Sequence, residues 1–259
     1  MKKMIVFGFW LVLAALGSQS VQAQKDIYEI RVFKMNSSAQ MDLTENYLKN
    51  VYLPAMHRLG FKSIGVFKPI ANDTATLKQV VMITPYISLD VWFRTKSNLN
   101  KDSIFNAEGK FFLDADTAHL PFVRVESTLL EAFPDHPKLI PTPLRSDPDA
   151  IYELRSYESP TKVLHMTKVG MFNEGGEIKL FKSLGFNAVF YGDVISGCRM
   201  PNLVYMVVFA NLAAREEKWR AFGSSDKWKD ISTDPKYRNN ISVNHIDSWL
   251  MHRASYSDL

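Results

Sequence analysis

Nine side chains in this sequence are candidates for a binding or catalytic site, because acids, bases and an aromatic ring alternate along four short segments. They are Glu29, Arg31, Arg124, Glu126, Glu153, Arg155, His245, Asp247 and Trp249. Successive side chains of a β-strand point to opposite faces, so the candidates within each segment share one face. His245, with Asp247 and Glu153 nearby, has the composition of a general acid or base that works near neutral pH.

This polar face has two interpretations. In the first, the face lines a barrel cavity that binds a small molecule. In the second, it is a ladder of cross-strand ion pairs that only stabilises the sheet. Charges buried without partners are costly, and acids and bases occur here in matched numbers, which favours the ladder. Both interpretations stay open at the level of sequence.

Two other stretches supply secondary candidates. The segment Ser196–Asn202 places Arg199 beside Cys198, the single cysteine of the chain. A structural turn is favoured over a site there, and a lone cysteine is expected to be buried as a small apolar group. Trp219 and Trp228 have the spacing of packing anchors, and stacking on a ligand is the alternative.

Several function classes lack the residues they need. The six histidines are scattered without the spacing of metal ligands, so no metal site is predicted. There is no GxSxG elbow and no glycine-rich phosphate loop, so neither a hydrolase nor a nucleotide-dependent enzyme is supported, and no cofactor is expected. Without a long run of Lys and Arg, nucleic acid is not an expected partner.

The sequence repeats itself once. Ile27–Arg31 reads IYEIR and returns 124 residues later as IYELR at Ile151–Arg155. The triplet LGF, an apolar run and a closing acidic-apolar segment recur in the same order at offsets of 125, 124 and 121 residues. Such a repeat indicates two copies of one unit. Each half reads β-α-β-β-α-β, the order of a ferredoxin-like unit.

These elements predict an α+β fold in which two tandem ferredoxin-like units form an intramolecular dimeric α/β-barrel. One such sheet carries helices on one face only, so the helix-free faces of the two units would cover each other. We assign Tyr28, Ile30 and Val32 to the helix side, and Glu29 and Arg31 to the barrel interior. The first and last strands of each unit should be antiparallel neighbours. A further homodimer is an open alternative to a monomer.

The sequence predicts a signal peptide, two domains and a proline-rich linker between them. The chain begins with Met1-Lys2-Lys3, followed by the 13-residue apolar run Met4–Leu16 and by small and polar residues that end at Ala23. This pattern is typical of a cleavable signal peptide, residues 1–23, cut after Ala23. This predicts a secreted or periplasmic protein with no stable membrane span. Domains follow at residues 24–132 and 151–259. Five prolines between them predict an extended linker over residues 133–150.

The second half resembles the NIPSNAP family. The resemblance rests on five segments and one tryptophan: Ile151–Tyr157, Met171–Ile178, Phe181–Phe186, Gly197–Leu203, Trp219–Phe222 and Trp228. The first half looks like a divergent copy through Tyr52–Gly60 and Gly65–Pro69, and it has no matching tryptophan pair. The resemblance implies a dimeric α/β-barrel, a superfamily that also includes cofactor-independent monooxygenases and haem-degrading enzymes. It implies no catalytic residues, because the family has no agreed set.

Two functions are therefore compared below. The favoured one is a non-catalytic module that binds an unidentified small molecule or protein partner. The alternative is a small-molecule enzyme of the monooxygenase-like barrel type, with His245, Asp247, Glu153 and Arg155 lining its cavity.

Overall fold

A computed structural model describes residues 24–259, and the predicted signal peptide lies outside this range. Strands dominate the architecture. They are β1 (Ile27–Met35), β2 (Gly65–Pro69), β3 (Lys78–Tyr86), β4 (Arg124–Ala132), β5 (Ile151–Glu158), β6 (Asn187–Ser196), β7 (Asn202–Phe209) and β8 (His245–Arg253). The four strands predicted for each half are all present.

Helices connect the strands. They are α1 (Ser38–Tyr47), α2 (Leu53–Arg58), α3 (Leu89–Lys101), α4 (Ser103–Glu108), α5 (Lys110–Leu113), α6 (Lys162–Phe172), α7 (Glu177–Ser183), α8 (Leu212–Ser224), α9 (Asp226–Thr233) and α10 (Asn239–Ser242). The order β-α-β-β-α-β is present in both halves. Within residues 24–259, none of these helices has the length and apolar character needed to cross a bilayer.

Local sequence explains where the long helices begin and divide. Ser37, Ser88, Thr161 and Asn211 each cap a helix by accepting a hydrogen bond from a backbone N–H of its first turn. Pro54 lies where the first helical segment of the chain divides. A π-helical turn, Leu48–Tyr52, separates α1 from α2 just before this proline, which has no N–H to bond one turn back.

The strands close into one barrel, in the order β1-β3-β2-β8-β5-β7-β6-β4. All neighbouring strands are antiparallel, and the predicted pairing of first with last strand is confirmed for β1 with β4 and for β5 with β8. Two seams join the halves. β2 pairs with β8, and β4 pairs with β6. Because the barrel closes through both seams, neither half leaves an open sheet edge.

The barrel interior is apolar, and this corrects the predicted orientation of the first strands. Tyr28, Ile30 and Val32 belong to the cluster inside the barrel, together with residues of β5, β6, β7 and β8 from the other half. Ile27 and Phe33 pack instead against the helices of the first half. Strand β1 is buried on both faces, so its alternation predicted which residues share a face but not which face meets the helices.

The proline-rich segment between the halves folds against one end of the barrel, where Leu139 and Leu144 pack on the interior cluster together with Leu259. Backbone hydrogen bonds hold it there, from Asp26 N to Pro137 O at 2.8 Å and from Ile140 N to Val189 O at 2.9 Å. The linker and the C-terminus therefore close this end.

Candidate functional site at the open end of the barrel

The opposite end of the barrel contains a cavity of about 190 Å³. Its floor is built from apolar side chains of the interior cluster, which are contributed by strands of both halves. They are Ile30, Val32, Leu154, Val194, Val204 and Trp249. An engineered cavity of about 150 Å³ with similar apolar walls is large enough for benzene. This cavity therefore has room for a small ring or a short alkyl chain.

Polar side chains surround the mouth of the cavity. They are Lys34, Gln79, Glu126, Thr128, Ser156, Cys198, Arg199, Asn202 and Asp247. The charged members are paired. Lys34 Nζ lies 2.5 Å from Glu126 on the neighbouring strand, and Arg199 donates to Asp247. Charge is thus neutralised at the mouth, while the floor carries none.

Arg199 reaches the mouth from the loop between β6 and β7. Its guanidinium contacts Asp247 and lies 3.5 Å from Glu158. Burial raises the pKa of Asp247, but the hydrogen bonds and charges of Arg199 and His245 together outweigh that effect and lower the pKa below its ordinary value. Cys198 lines the same mouth and is exposed, so the expectation of a buried cysteine was wrong. This loop is part of the site as well as a turn.

His245 lies beside this ion pair. Its Nε2 is 3.1 Å from Asp247 Oδ1, and one ligand atom each of Glu158, His245 and Asp247 lies within 4.8 Å of the others. This grouping could hold a metal ion, which the spacing argument missed because strand pairing brings Glu158 opposite His245. Arg199 already supplies a cation to both carboxylates, which competes with a metal there.

Four of the predicted site residues lie elsewhere, beneath the helices. Glu153 is fully buried and accepts five hydrogen bonds, from Arg155 (2.7 Å), Arg215 (2.7 and 2.8 Å), Trp219 (2.8 Å) and Ser248 (2.7 Å). Burial raises the pKa of Glu153, but these donors outweigh it and hold the pKa at about 2. These hydrogen bonds hold the Glu153 carboxylate in place and give it a structural role. The prediction that Glu153 lines the barrel interior was therefore wrong.

The first half repeats this arrangement in a simpler form. Glu29 is paired with Arg31 at 2.9 Å and accepts from Ser127 at 2.8 Å and from Tyr86 at 3.2 Å. Arg31 also donates to Tyr52 in the π-helical turn. The structure therefore places Glu29, Arg31 and Arg155 on the helix side as well, because β1 and β5 turn towards the helices the face that was predicted to line the barrel.

The tryptophan candidates are packing anchors. The Trp219 ring contacts those of Phe186 and Phe181, with centroids at 5.1 and 5.7 Å, and the Arg155 guanidinium lies over it at 4.7 Å. Trp228 packs on Phe222 at 4.4 Å. Neither tryptophan lines the cavity, so their predicted packing role is confirmed.

The closing strands meet the prediction better. Glu126, Asp247 and Trp249 line the cavity, and His245 lies at its rim. Arg124 is opposite Lys34 in the register of β1 and β4, at the same end of the barrel. Sequence reasoning missed Lys34, Ser156 and Asn202. Lys34 lies on the same face of β1 as Ile30 and Val32. Assigning that face to the barrel interior would therefore have identified Lys34 as a site residue.

A closed eight-stranded barrel with helices outside is the architecture of the dimeric α/β-barrel proteins. A Lactobacillus acidophilus protein provisionally called a monooxygenase is similar in structure, with a TM-score of 0.56, 12% identity, and 88% of this chain and 94% of that chain covered. An anthrone oxidase-like protein is similar at a TM-score of 0.51 and 10% identity, with 90% and 93% covered. At these identities the likeness shows the fold alone.

The family model described as NIPSNAP matches residues 152–258, in the C-terminal half of this chain. This confirms the resemblance found in the sequence of that half. A NIPSNAP family protein of Agrobacterium tumefaciens is 22% identical, with 42% of this chain and 93% of that chain covered and a TM-score of 0.36. No curated protein matches the chain.

Proposed function

We propose that this protein is an exported, non-catalytic binding module whose barrel holds a small molecule at its open mouth. The observation that carries the proposal is the asymmetry of the barrel. The linker and Leu259 close one end, while the other end opens into a cavity of about 190 Å³ with an apolar floor. Concave, mostly apolar sites with a few polar groups are the usual form of small-molecule sites.

The state of the charged groups supports binding rather than catalysis. A catalytic acid or base needs a group free to exchange a proton with its substrate. Glu153 and Arg155, two of the four residues of the enzyme hypothesis, are held under the helices by hydrogen bonds and do not reach the cavity. Asp247 is bound to Arg199 at the mouth.

The domain organisation is part of this proposal. We infer that residues 24–132 and 151–259 are two ferredoxin-like units, the first a divergent NIPSNAP-like copy, which form an intramolecular dimeric α/β-barrel. The offset repeats support it, as do the strand orders β4-β1-β3-β2 and β8-β5-β7-β6 within the closed barrel. A single chain then forms a barrel that would otherwise require two subunits.

Export is tested separately. We propose cleavage after Ala23 and a periplasmic or extracellular destination. N-terminal sequencing of the protein from its own cells should begin at Gln24. A first residue of Met1 on protein from the cytoplasmic fraction would contradict export.

Native mass spectrometry of residues 24–259, purified from the cell envelope, tests the binding function. We expect a mass excess that is lost on denaturation. Thr128→Phe fills the cavity mouth and should remove the excess, whereas Thr117→Phe makes the same change on an exposed loop and should keep it. If Thr128→Phe retains the full excess, the molecule binds elsewhere and the barrel site is wrong.

The enzyme alternative has one observation in its favour. His245 Nε2 lies 3.1 Å from Asp247, and Asp247 lines the cavity, so an acid-base pair is present at the mouth. This hypothesis expects the captured molecule to be converted on prolonged incubation with oxygen and the protein. The conversion should stop in His245→Ala with folding intact. An unchanged rate in that variant would remove His245 from any such role.

A further inference from the structure

The two halves of the cavity mouth carry opposite charges, although they are copies of one unit. Lys34 of β1 occupies the position that Glu158 occupies in β5, and Arg124 of β4 occupies that of His245 in β8. Glu126 and Asp247 are equivalent acids in the two halves. The strands of the first half therefore present two bases and one acid. The strands of the second half present two acids and a histidine, and the loop between β6 and β7 adds Arg199.

The acidic side of the mouth is already satisfied. Arg199 comes from the loop between β6 and β7 and contacts both Asp247 and Glu158. On the basic side, Glu126 is bound to Lys34, and within the described part of the chain no second carboxylate pairs with these bases. Arg124 is exposed and has no ion-pair partner among residues 24–259.

The register places two bases beside one acid. Lys34 and Arg124 are directly opposite each other on β1 and β4, and Glu126 neutralises Lys34 alone. Lys34 lines the cavity, and Arg124 starts from the same face of the sheet, because residues directly opposite in an antiparallel pair share a face. An anion bound beside Arg124 would neutralise the remaining positive charge at this side of the mouth.

We propose that the ligand of this cavity is a small carboxylate with an apolar body, whose chain or ring lies on the floor and whose carboxylate is bound by Arg124 and Lys34. This inference rests on the proposed binding function and specifies its ligand class. A cavity of about 190 Å³ limits the body to a short alkyl chain or a single ring. Arg124 donates two parallel hydrogen bonds to the carboxylate, and Lys34 adds a second cation.

Three six-carbon probes with different head groups test the proposal on residues 24–259. Hexanoate, hexan-1-ol and hexylamine are titrated while the indole N–H signal of Trp249, which lines the cavity, is followed in ¹H–¹⁵N correlation spectra. Trp249→Phe assigns that signal. We expect hexanoate to bind most tightly and hexylamine most weakly. Arg124→Gln should weaken hexanoate by roughly three- to fivefold and leave hexan-1-ol within about twofold, as for one partly exposed charge contact.

The outcomes separate the ligand class from the function. Arg220→Gln, at an exposed position on α8, is the matched control and should leave all three affinities unchanged. Equal binding of hexanoate and hexan-1-ol, or an Arg124→Gln variant that binds hexanoate normally, would overturn the carboxylate class while the binding function stands. If none of the probes moves the Trp249 signal, the cavity does not take short apolar molecules, and the proposed function fails with it.

Discussion

Glu153 shows how a residue can resemble a catalytic acid in sequence and be structural in the fold. Five hydrogen bonds converge on its fully buried carboxylate, and two of its partners are guanidinium groups. Removing one charge from such a buried pair leaves the other uncompensated. Glu153→Gln should therefore lower the free energy of unfolding by about 3 kcal/mol, measured by urea denaturation at pH 7. Glu29→Gln is the matched control, and its smaller network should give a smaller loss.

The same carboxylate makes stability depend on pH. Its donors outweigh burial and hold the pKa of Glu153 at about 2, below the ordinary value of 4.5. A lowered pKa in the folded state contributes stability that is present above pH 4.5 and is lost as the pH falls towards 2. The stability difference between wild type and Glu153→Gln should therefore shrink between pH 4.5 and pH 2. A constant difference across that range would contradict the assignment.

A second buried pair, Lys168 with Glu177, was not indicated by the sequence. Both side chains are about 3% exposed, and their charged groups are 3.2 Å apart. Burial raises the pKa of Glu177, although Lys168 opposes the effect. Lys168→Met alone should cost about 3 kcal/mol, because it leaves a buried carboxylate without its cation. Adding Glu177→Gln should recover part of that loss in a double-mutant cycle, and additive losses would show that the pair is not coupled.

At this scale, the sequence predicts which residues share a face and little more. Alternation correctly grouped Glu29 with Arg31 and His245 with Asp247. It could not orient β1 or β5, because both strands carry apolar residues on both faces. The closing strands β4 and β8 are half-exposed and amphipathic, so their interior faces were assigned correctly. Arg215 could not be associated with Glu153, because the contact depends on how α8 packs on the sheet.

At the scale of elements, glycine and proline mark the places where helices divide. Gly175-Gly176 lies between α6 and α7, and Gly176 has φ of +85°. A β-carbon at Gly176 would meet nothing within 4 Å, and the same is true of Gly223 inside α8. Both positions therefore have room for a β-carbon, and they differ only in backbone conformation.

This difference gives opposite effects for one substitution. Gly176→Ala should destabilise the protein by about 1 kcal/mol, because a left-handed backbone is strained for alanine. Gly223→Ala should stabilise it by up to about 1 kcal/mol, because alanine is the better helix former. Thermal unfolding of the two variants and the wild type measures both shifts. A gain at Gly176→Ala would mean that its backbone is not left-handed in solution.

Short helices were the elements that the sequence did not reveal. α4, α5, α9 and α10 are four to eight residues long, too short for a clear apolar period. The packing of the linker could not be predicted for a related reason. Its prolines predict an extended connector, but Leu139 and Leu144 pack on the barrel only because the interior cluster ends beside them. Such contacts depend on tertiary structure that local patterns do not contain.

At the scale of the whole molecule, the two seams explain why the halves belong together. Interior residues come from both halves, and β2–β8 and β4–β6 pairing leaves neither sheet with a free edge. A separated half would expose one apolar face and two edge strands. The internal repeat shows how a separated second half could cover that face and those edges. In the full chain β6 pairs with β4, and β8 of the second half is the counterpart of β4. Two copies of the second half can therefore form both seams by pairing β8 of one with β6 of the other.

Residues 151–259 expressed alone should accordingly form a symmetric homodimer, since a twofold arrangement satisfies both seams with identical contacts. Light scattering after size exclusion should give the mass of two chains for this half and of one chain for residues 24–259. The half has no counterpart of the linker at its barrel end, so its dimer should unfold at lower urea concentration than the full chain. A folded, monomeric half would show that its sheet does not need a second one to cover it, and the intramolecular dimer would lose its physical basis.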